Sequence, residues 1–346
     1  MYIECVPNIS EGIDLDKIES IVNAARAVNG CVVLGVEPDA DYNRTVITLA
    51  GLPENVYEGA KALVIKAIHE IDMRQHKGEH PRLGAVDVCP FVPLESSMKP
   101  TCIELAKRLA KEIHEETKVC TYLYGFAAQQ EAKVMLSDIR KGQYEGLRDR
   151  FGPNDHNLPD EIVKPDFGQP QWNEITEKSG CITIGARDIL IAYNVNVHEQ
   201  DASVSKKIGS LVRSSGRPIK NGQGQTIRLP GLLSKVQGMG VQLERMGISQ
   251  VSMNILDRHA TPIHTAFLVC QTLGEDHGVK VAGSEVVGLI PLQTMLEAGE
   301  FFAKDDGLSE RDLVEAAIEG LGLREFHDFD PAIRIIEWAI AKELGQ

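Results

Sequence analysis

The chain has 346 residues, 43% of them hydrophobic and 25% charged, an ordinary globular composition with enough length for two domains and a tail. No apolar run approaches the roughly 20 residues of a membrane span and the start lacks a signal-peptide pattern, while a net charge of −14 argues against nucleic acid as a partner. Seven scattered cysteines, odd in number and without a close C-x-x-C pair, argue against a disulfide framework or a structural zinc site and place the chain in a reducing cytoplasm.

In the first half, Tyr2 to Val6 reads as a strand, and Leu15, Ile18, Val22, Ala25 and Val28 fall at helical spacing over 15–28. Two β-rich runs, Cys31 to Val36 and Arg44 to Ala50, flank turn chemistry at Pro38 to Asn43 and read as a hairpin. An amphipathic helix over 54–71 and a strand at Val86 to Val92 complete a β-α-β-β-α-β order, the ferredoxin-like split unit. Pro90 inside that last strand marks it as an edge or bulged one. Thr101 and Glu104, spaced as a capping box, start a helix that leads to a strand at Val119 to Tyr124. Residues 151–180 carry four prolines and little periodicity, which reads as a functional loop or a linker.

The second half repeats the order: a strand at Ile189 to Val197, a helix over 201–213, paired strands at Lys235 to Leu243 and Gln250 to Leu256, a helix over 262–273 and a strand at Val279 to Ala282. Asn194, Asn196 and His198 alternate with Tyr193, Val195 and Val197, so one face of that strand is a row of polar groups, either solvated or lining a ligand cleft. The glycine-rich stretch Arg217 to Arg228 follows a predicted helix rather than a strand, lacks the Gly-Lys-Ser/Thr run of a phosphate loop and reads as a flexible connector. His259 and His264 read as structural or surface residues, and Cys89 as a buried thiol. Residues 292–346 read as helices, with starts at Ser309/Asp312 and Asp330-Pro331. The expected fold is therefore α+β, with two ferredoxin-like subdomains in tandem over 1–180 and 181–290 and a helical C-terminal tail, 291–346, that serves as a packing or dimer element.

The densest chemistry lies in Met73 to Arg82, where two histidines, three cationic side chains and a carboxylate fall within ten residues. His76-Lys77-Gly78-Glu79-His80 matches the inverted zinc-peptidase pattern, which needs both histidines on one helix face. Gly78 between them and Pro81 after them oppose a helix, so a loop presenting a histidine as general acid–base is preferred over a metallohydrolase.

Glu4-Cys5-Val6-Pro7-Asn8-Ile9-Ser10-Glu11-Gly12, Asn43-Arg44-Thr45, Gly78-Glu79-His80-Pro81-Arg82-Leu83-Gly84-Ala85, Asp87-Val88-Cys89-Pro90-Phe91 and Tyr122-Leu123-Tyr124-Gly125 resemble the glutamate formiminotransferase family. So do Asp166-Phe167-Gly168, Gly185-Ala186-Arg187, Ala192-Tyr193-Asn194-Val195-Asn196 and Lys235-Val236-Gln237-Gly238, in order over most of the chain. The resemblance implies transfer of the formimino group from N-formimino-L-glutamate to N5 of tetrahydrofolate in histidine degradation, by a monofunctional form without the cyclodeaminase half. It makes His80 the catalytic acid–base, with His76 as the alternative and Glu79 or Asp87 to orient the imidazole. Both substrates are carboxylates, so Arg44, Arg82 and Arg187 are candidate clamps, with Asp87 beside them in the substrate site. The family's folate segment maps to Gly168, Gln169, Pro170, Gln171, Trp172, Ser179 and Gly180. Tetrahydrofolate is then a co-substrate, no metal is required, and a homodimer is expected. Formyl transfer between 5-formyltetrahydrofolate and glutamate at the same site, a metal-dependent hydrolase and a non-catalytic folate carrier are the other readings.

Overall fold

The computed structural model describes every residue except Asp41, Glu79, His80, 153–157, Glu244, Arg245, Asp306, His327, Gln346 and the side chain of Ala282. It divides into two compact units, Met1–Arg187 and Asp188–Lys342.

In the first unit, β1 (Ile3–Cys5) and β2 (Asn8–Ile9) form one interrupted strand, followed by α1 (Leu15–Arg26), β3 (Cys31–Asp39), β4 (Arg44–Gly51), α2 (Pro53–Glu70) and β5 (Val86–Pro93). The four strand positions are antiparallel in the spatial order β3, β4, β1/β2, β5, the arrangement expected of a split βαββαβ unit. The sheet then extends. Helix α3 (Lys99–Thr117) leads to β6 (Cys120–Gly125), and four short helices, α4 (Leu136–Ile139), α5 (Leu147–Arg150), α6 (Asp160–Val163) and α7 (Glu174–Ser179), lead to β7 (Cys181–Ala186). Strand β7 inserts between β5 and β6, parallel to both.

Strand alternation splits the side chains cleanly. Ile3, Cys5, Ile9, Ile47, Leu49, Cys89, Phe91, Ile182 and Ile184 join the apolar faces of α1, α2 and α3 in one core. A smaller cluster around Tyr122, Tyr124, Ile139, Leu147 and Ile162 covers part of the other sheet face. What remains of that face carries Asn8 and Arg44, which alternate with the core residues Ile9, Ile47 and Leu49.

Two expectations for this unit need correction. Strand β5 is interior, not an edge. Pro90 fits because its carbonyl accepts the Val6 N–H, while the N–H it lacks falls opposite Val6-Pro7, where the neighbouring strand is broken between β1 and β2. The irregularity lies instead at Asp87, where the pairing with Asn8 and Ile9 skips from Val88 to Val86. Helix α3 begins before Thr101, with Pro100 in its first turn and no side-chain cap, so Thr101 and Glu104 are not a capping box.

The second unit contains β8 (Ile191–Val197), α8 (Ser203–Val212), β9 (Arg217–Lys220), β10 (Thr226–Leu229), β11 (Val236–Leu243), β12 (Ile248–Ile255), α9 (Ile263–Asp276) and β13 (Val281–Val287). Its four-stranded antiparallel sheet has the order β11, β12, β8, β13, again the split-unit arrangement. The 217–228 stretch is not a connector: β9 and β10 pair antiparallel, with Asn221 and Gln225 closing the turn between them. Helices α10 (Leu292–Phe302) and α11 (Glu310–Leu321) add Met295, Ala298, Val314, Ile318 and Leu321 to this unit's core. The expected starts are present: Ser309 and Asp312 form a capping box, and Asp330 caps α12 (Pro331–Arg334) with proline in its first turn.

Candidate active site

Three segments of the first unit are tied together by Asn43, at the start of β4. The Asn43 Oδ1 accepts the Gly12 N–H at 2.9 Å, its Nδ2 donates to the Lys77 carbonyl at 2.8 Å, and its own carbonyl accepts from His76 Nε2 at 2.8 Å. Its φ of +47° is left-handed, a conformation asparagine tolerates better than other side chains. Close packing reinforces the knot: a Cβ on Gly78 would lie 2.4 Å from the Tyr42 carbonyl oxygen, and one on Gly12 2.2 Å from that of Asp39. Thr45 Oγ1 donates to the Glu11 carbonyl at 2.5 Å, and Ser10 Oγ to the Gly84 carbonyl at 2.7 Å.

His76 leaves α2 in a turn rather than on a helix. Its Nε2 donates to Asn43, and its Nδ1 accepts from Arg82 Nε at 3.1 Å, which fixes the neutral tautomer. Burial lowers its pKa, the Asn43 carbonyl works against this, and the Arg82 charge lowers it further. Both ring nitrogens are therefore occupied. A cavity of about 440 Å³ opens beside this histidine, lined among others by Ser10, Glu11, Asn43, Asp72 and Gln75. On its wall, burial would raise the Glu11 carboxyl, but Lys17 and the N–H groups of Asp14 and Ile13 hold it below the usual carboxylate range. Glu79 and His80 lie outside the described residues. Among the described residues, no group of three or more His, Cys, Asp or Glu side chains converges.

The three arginines expected as clamps sit in different surroundings. Arg82 is buried; it forms a two-pronged pair with Glu145 at 2.5 and 3.0 Å and also reaches Gln143 and His76. Arg44 lies on the partly open sheet face with its Nε buried and without a hydrogen-bond partner, its guanidinium 5.3 Å from the centre of the Tyr42 ring. Arg187 follows β7, where its N–H donates to the Phe91 carbonyl at 3.2 Å. Its charge, with that of Arg140, opposes the upward push of burial on the Tyr124 phenol.

Asp87, at the β5 irregularity, is buried against the Arg140 fork and accepts the Leu83 N–H at 3.0 Å. Burial pushes its carboxyl up, while Arg140, the Leu83 N–H and the charge of Arg44 pull it back. Arg44, Asp87 and Arg140 thus share one electrostatic neighbourhood. In a chain of net charge −14, an anion would have to be drawn by local cations rather than by the overall field.

The 168–180 segment is ordered by its surroundings. Asp166 takes the Leu123 N–H and a buried Lys133 at 3.0 Å, and Phe167 pairs with Thr121, which docks the segment against β6. Gly168 has φ +105° and packs on Cys120 and His114; the Gln169 carbonyl accepts from Cys120 Sγ. Pro170 is followed by Gln171, whose carbonyl accepts from Thr176, and by Trp172, which lies against Tyr144 with ring centres 6.0 Å apart. Ser179 is buried, and a Cβ on Gly180 would meet the Leu83 carbonyl at 2.3 Å. Tyr144 connects this segment to the histidine loop through its N–H to the Arg82 carbonyl and its hydroxyl to the Glu177 carbonyl.

Elsewhere, the Asn194 and Asn196 face of β8 carries a polar network in which Gln250 bridges Asn196 and Glu285. His264 stacks on Phe301 at 4.5 Å, and Cys89 is fully buried with its Sγ 3.5 Å from that of Cys5. Sequence reading assigned no role to Asn8, Asn43, Arg140, Tyr144 or Glu145. The first two lie inside family-like motifs; the other three carry no local signal at all.

Two family descriptions match the chain almost end to end: the formiminotransferase domain, N-terminal subdomain, over residues 2–187, and the formiminotransferase domain over residues 192–341. The chain is 40% identical over 345 residues to a formimidoyltransferase-cyclodeaminase of Gallus gallus, covering 98% of this chain and 60% of that protein. It is 36% identical to a glutamate formimidoyltransferase of Thermoplasma acidophilum, covering 92% of this chain and 97% of that one. A glutamate formimidoyltransferase of Streptococcus pyogenes is 34% identical, over 87% and 92% of the two chains. This chain thus spans about six tenths of the length of the two-activity relatives it matches and nearly all of the single-activity ones.

Proposed function

The chain belongs to the formiminotransferase family, and from that premise we propose that it transfers the formimino group of N-formimino-L-glutamate to N5 of tetrahydrofolate, a step of histidine degradation. The observation that carries the reading is the match to single-activity glutamate formimidoyltransferases over about nine tenths of each chain. Folate N5 attacks the formimino carbon, a new C–N bond forms, and the bond to the glutamate nitrogen breaks. N5 loses one proton and the glutamate nitrogen gains one, so 5-formiminotetrahydrofolate and L-glutamate leave in balance. Tetrahydrofolate is a co-substrate consumed in each turnover, and no metal takes part in this chemistry.

His80 is the group we assign to both proton movements, since an imidazole titrates near the operating pH. His76 suits the role less, because both its ring nitrogens are already bonded. Arg44 and Arg187 are the foremost carboxylate clamps, Arg44 because its buried Nε has no partner. Arg82 serves the same end only by exchanging Glu145 for a substrate carboxylate, and Asp87 acts by holding Arg140 in place. The segment from Gly168 to Trp172, with Ser179 and Gly180, is the proposed folate-binding stretch.

Incubation of the purified chain with N-formimino-L-glutamate and tetrahydrofolate should yield L-glutamate and 5-formiminotetrahydrofolate in equal amounts. His80→Ala should lower turnover by about 10²–10⁴-fold, the usual worth of a positioned acid–base, with folate binding retained. Wild-type turnover in that variant would remove His80 from the mechanism.

A further inference from the structure

Asn8 lies in β2 with a strand hydrogen-bonded on each side, opposite Val46 of β4 and Val88 of β5. The backbone around it is pinned: the Ile47 N–H donates to the Pro7 carbonyl and the Ser10 N–H to the Ala85 carbonyl, both at 2.9 Å. Ile9 points into the helix-side core, so the Asn8 carboxamide points to the opposite face, the one that carries Arg44. There its Oδ1 is buried without a hydrogen-bond partner. Buried acceptors on rigid strands are ordinarily satisfied, and one that is not calls for a functional explanation.

Arg44 supplies the second half of the observation. Asn8 is opposite Val46, so Arg44 is its diagonal neighbour on the same face, a relation that puts side-chain roots roughly 7–8 Å apart. The Arg44 Nε is also buried and unpartnered. An acceptor and a cationic donor thus stand side by side on one sheet face, a spacing that a glutamyl skeleton bridges.

Building on the formimino-transfer reading, we infer that Asn8 receives the formimino group itself and so selects which one-carbon group the site accepts. A formimino group attached to the glutamate nitrogen makes a formamidine, which is protonated at neutral pH and presents only N–H donors at its terminal nitrogen. A formyl group presents an oxygen acceptor at the same position. The Asn8 Oδ1 matches the first and opposes the second, while Arg44 takes a glutamate carboxylate through charge-assisted hydrogen bonds. Asparagine can also turn its Nδ2 toward a formyl oxygen, so wild-type discrimination is moderate and an acceptor-only residue sharpens it.

The test uses the full chain, N-formimino-L-glutamate as substrate and N-formyl-L-glutamate as its isosteric inhibitor. Asn8→Leu should lower kcat/KM for formiminoglutamate by about tenfold or more, with the KM for tetrahydrofolate held within about threefold. Asn8→Asp should keep formimino turnover within about tenfold of wild type and weaken N-formyl-L-glutamate inhibition by about tenfold or more, because two acceptors then face each other. A folded Asn8→Leu chain with wild-type constants, or an Asn8→Asp chain that binds the formyl analogue as wild type does, overturns the assignment of Asn8. A folded wild type that transfers no formimino group overturns instead the family-based reading beneath it, and the assignment with it.

Discussion

Replacing Asn43 tests whether the knot of three segments holds the histidine loop. Asn43→Ala removes two side-chain hydrogen bonds, to the Gly12 N–H and the Lys77 carbonyl, each worth about 1 kcal/mol net. Gly12 is buried, so its N–H is left unpaired. Alanine must also adopt φ +47°, which costs about 1 kcal/mol more than it costs asparagine. The sum is a loss of about 3 kcal/mol, roughly 6–12 °C in the melting temperature of a unit of this size. Asn43→Gly loses the same two bonds without the left-handed penalty, so it should be less destabilised than alanine by about 1 kcal/mol. Urea unfolding of the three chains at one pH, followed beside formimino turnover, gives both numbers. Turnover should fall in both variants, because Lys77 loses its tether three residues before the proposed acid–base. Equal stabilities for the alanine and glycine variants would refute the backbone part of this account, and wild-type stability and turnover in both would refute all of it.

Removing one partner of the buried Arg140–Asp87 pair should be far more costly than breaking any surface bridge. Arg140→Met leaves a buried carboxylate with one backbone donor, a loss of about 3–5 kcal/mol, and adding Asp87→Leu should recover much of it in a double-mutant cycle; a double variant no more stable than Arg140→Met would show that the pair is not the cause. The lowered pKa of His76 predicts acid sensitivity. The folded chain binds this proton less readily than the unfolded one, so His76 contributes stability that is present above about pH 6.5 and lost as pH falls through its folded pKa. His76→Gln should flatten the stability profile below about pH 6.5, measured by denaturant midpoints; an unchanged slope would exclude His76 as its source.

Much of the fold was legible because its elements obey local periodicity. The helices α1, α2 and α9 and the β3–β4 and β11–β12 pairs lie close to where apolar spacing put them. Strand β7 was not foreseen: all six residues from Cys181 to Ala186 are buried, so no alternation marks them, as expected for a strand paired in parallel on both sides. Of the two readings that Pro90 suggested, the bulged strand holds, with its irregularity at Asp87, and the edge strand does not. The edge reading assumed an intact neighbour, whereas the strand beside Pro90 breaks at Val6-Pro7. The β9–β10 hairpin was read as a connector because the stretch is basic and glycine-rich; its residues are half to fully exposed, and its ladder and turn bonds define it instead.

The site divides along the same line. Arg44, Arg82 and Asp87 were singled out because each sits in a contiguous motif, but the surroundings of Arg82 and Asp87 depend on residues far away in the chain. Asp87 is held by Arg140, 53 residues on, and Arg82 by Glu145, 63 residues on. An ion pair of this kind can be completed from any segment whose backbone passes the right point, so it leaves no spacing for sequence reading to detect. The consequence for function is specific. Of the arginines on which the sequence reading placed substrate carboxylates, Arg82 is engaged by an internal carboxylate, whereas Arg44 keeps a buried, unpartnered Nε. A cation already paired inside the fold positions its neighbours, whereas one with an unpartnered donor next to an unpartnered acceptor is available to a ligand. That distinction, which only the folded chain supplies, is why Asn8 and Arg44 rather than Arg82 are the residues on which substrate recognition should turn.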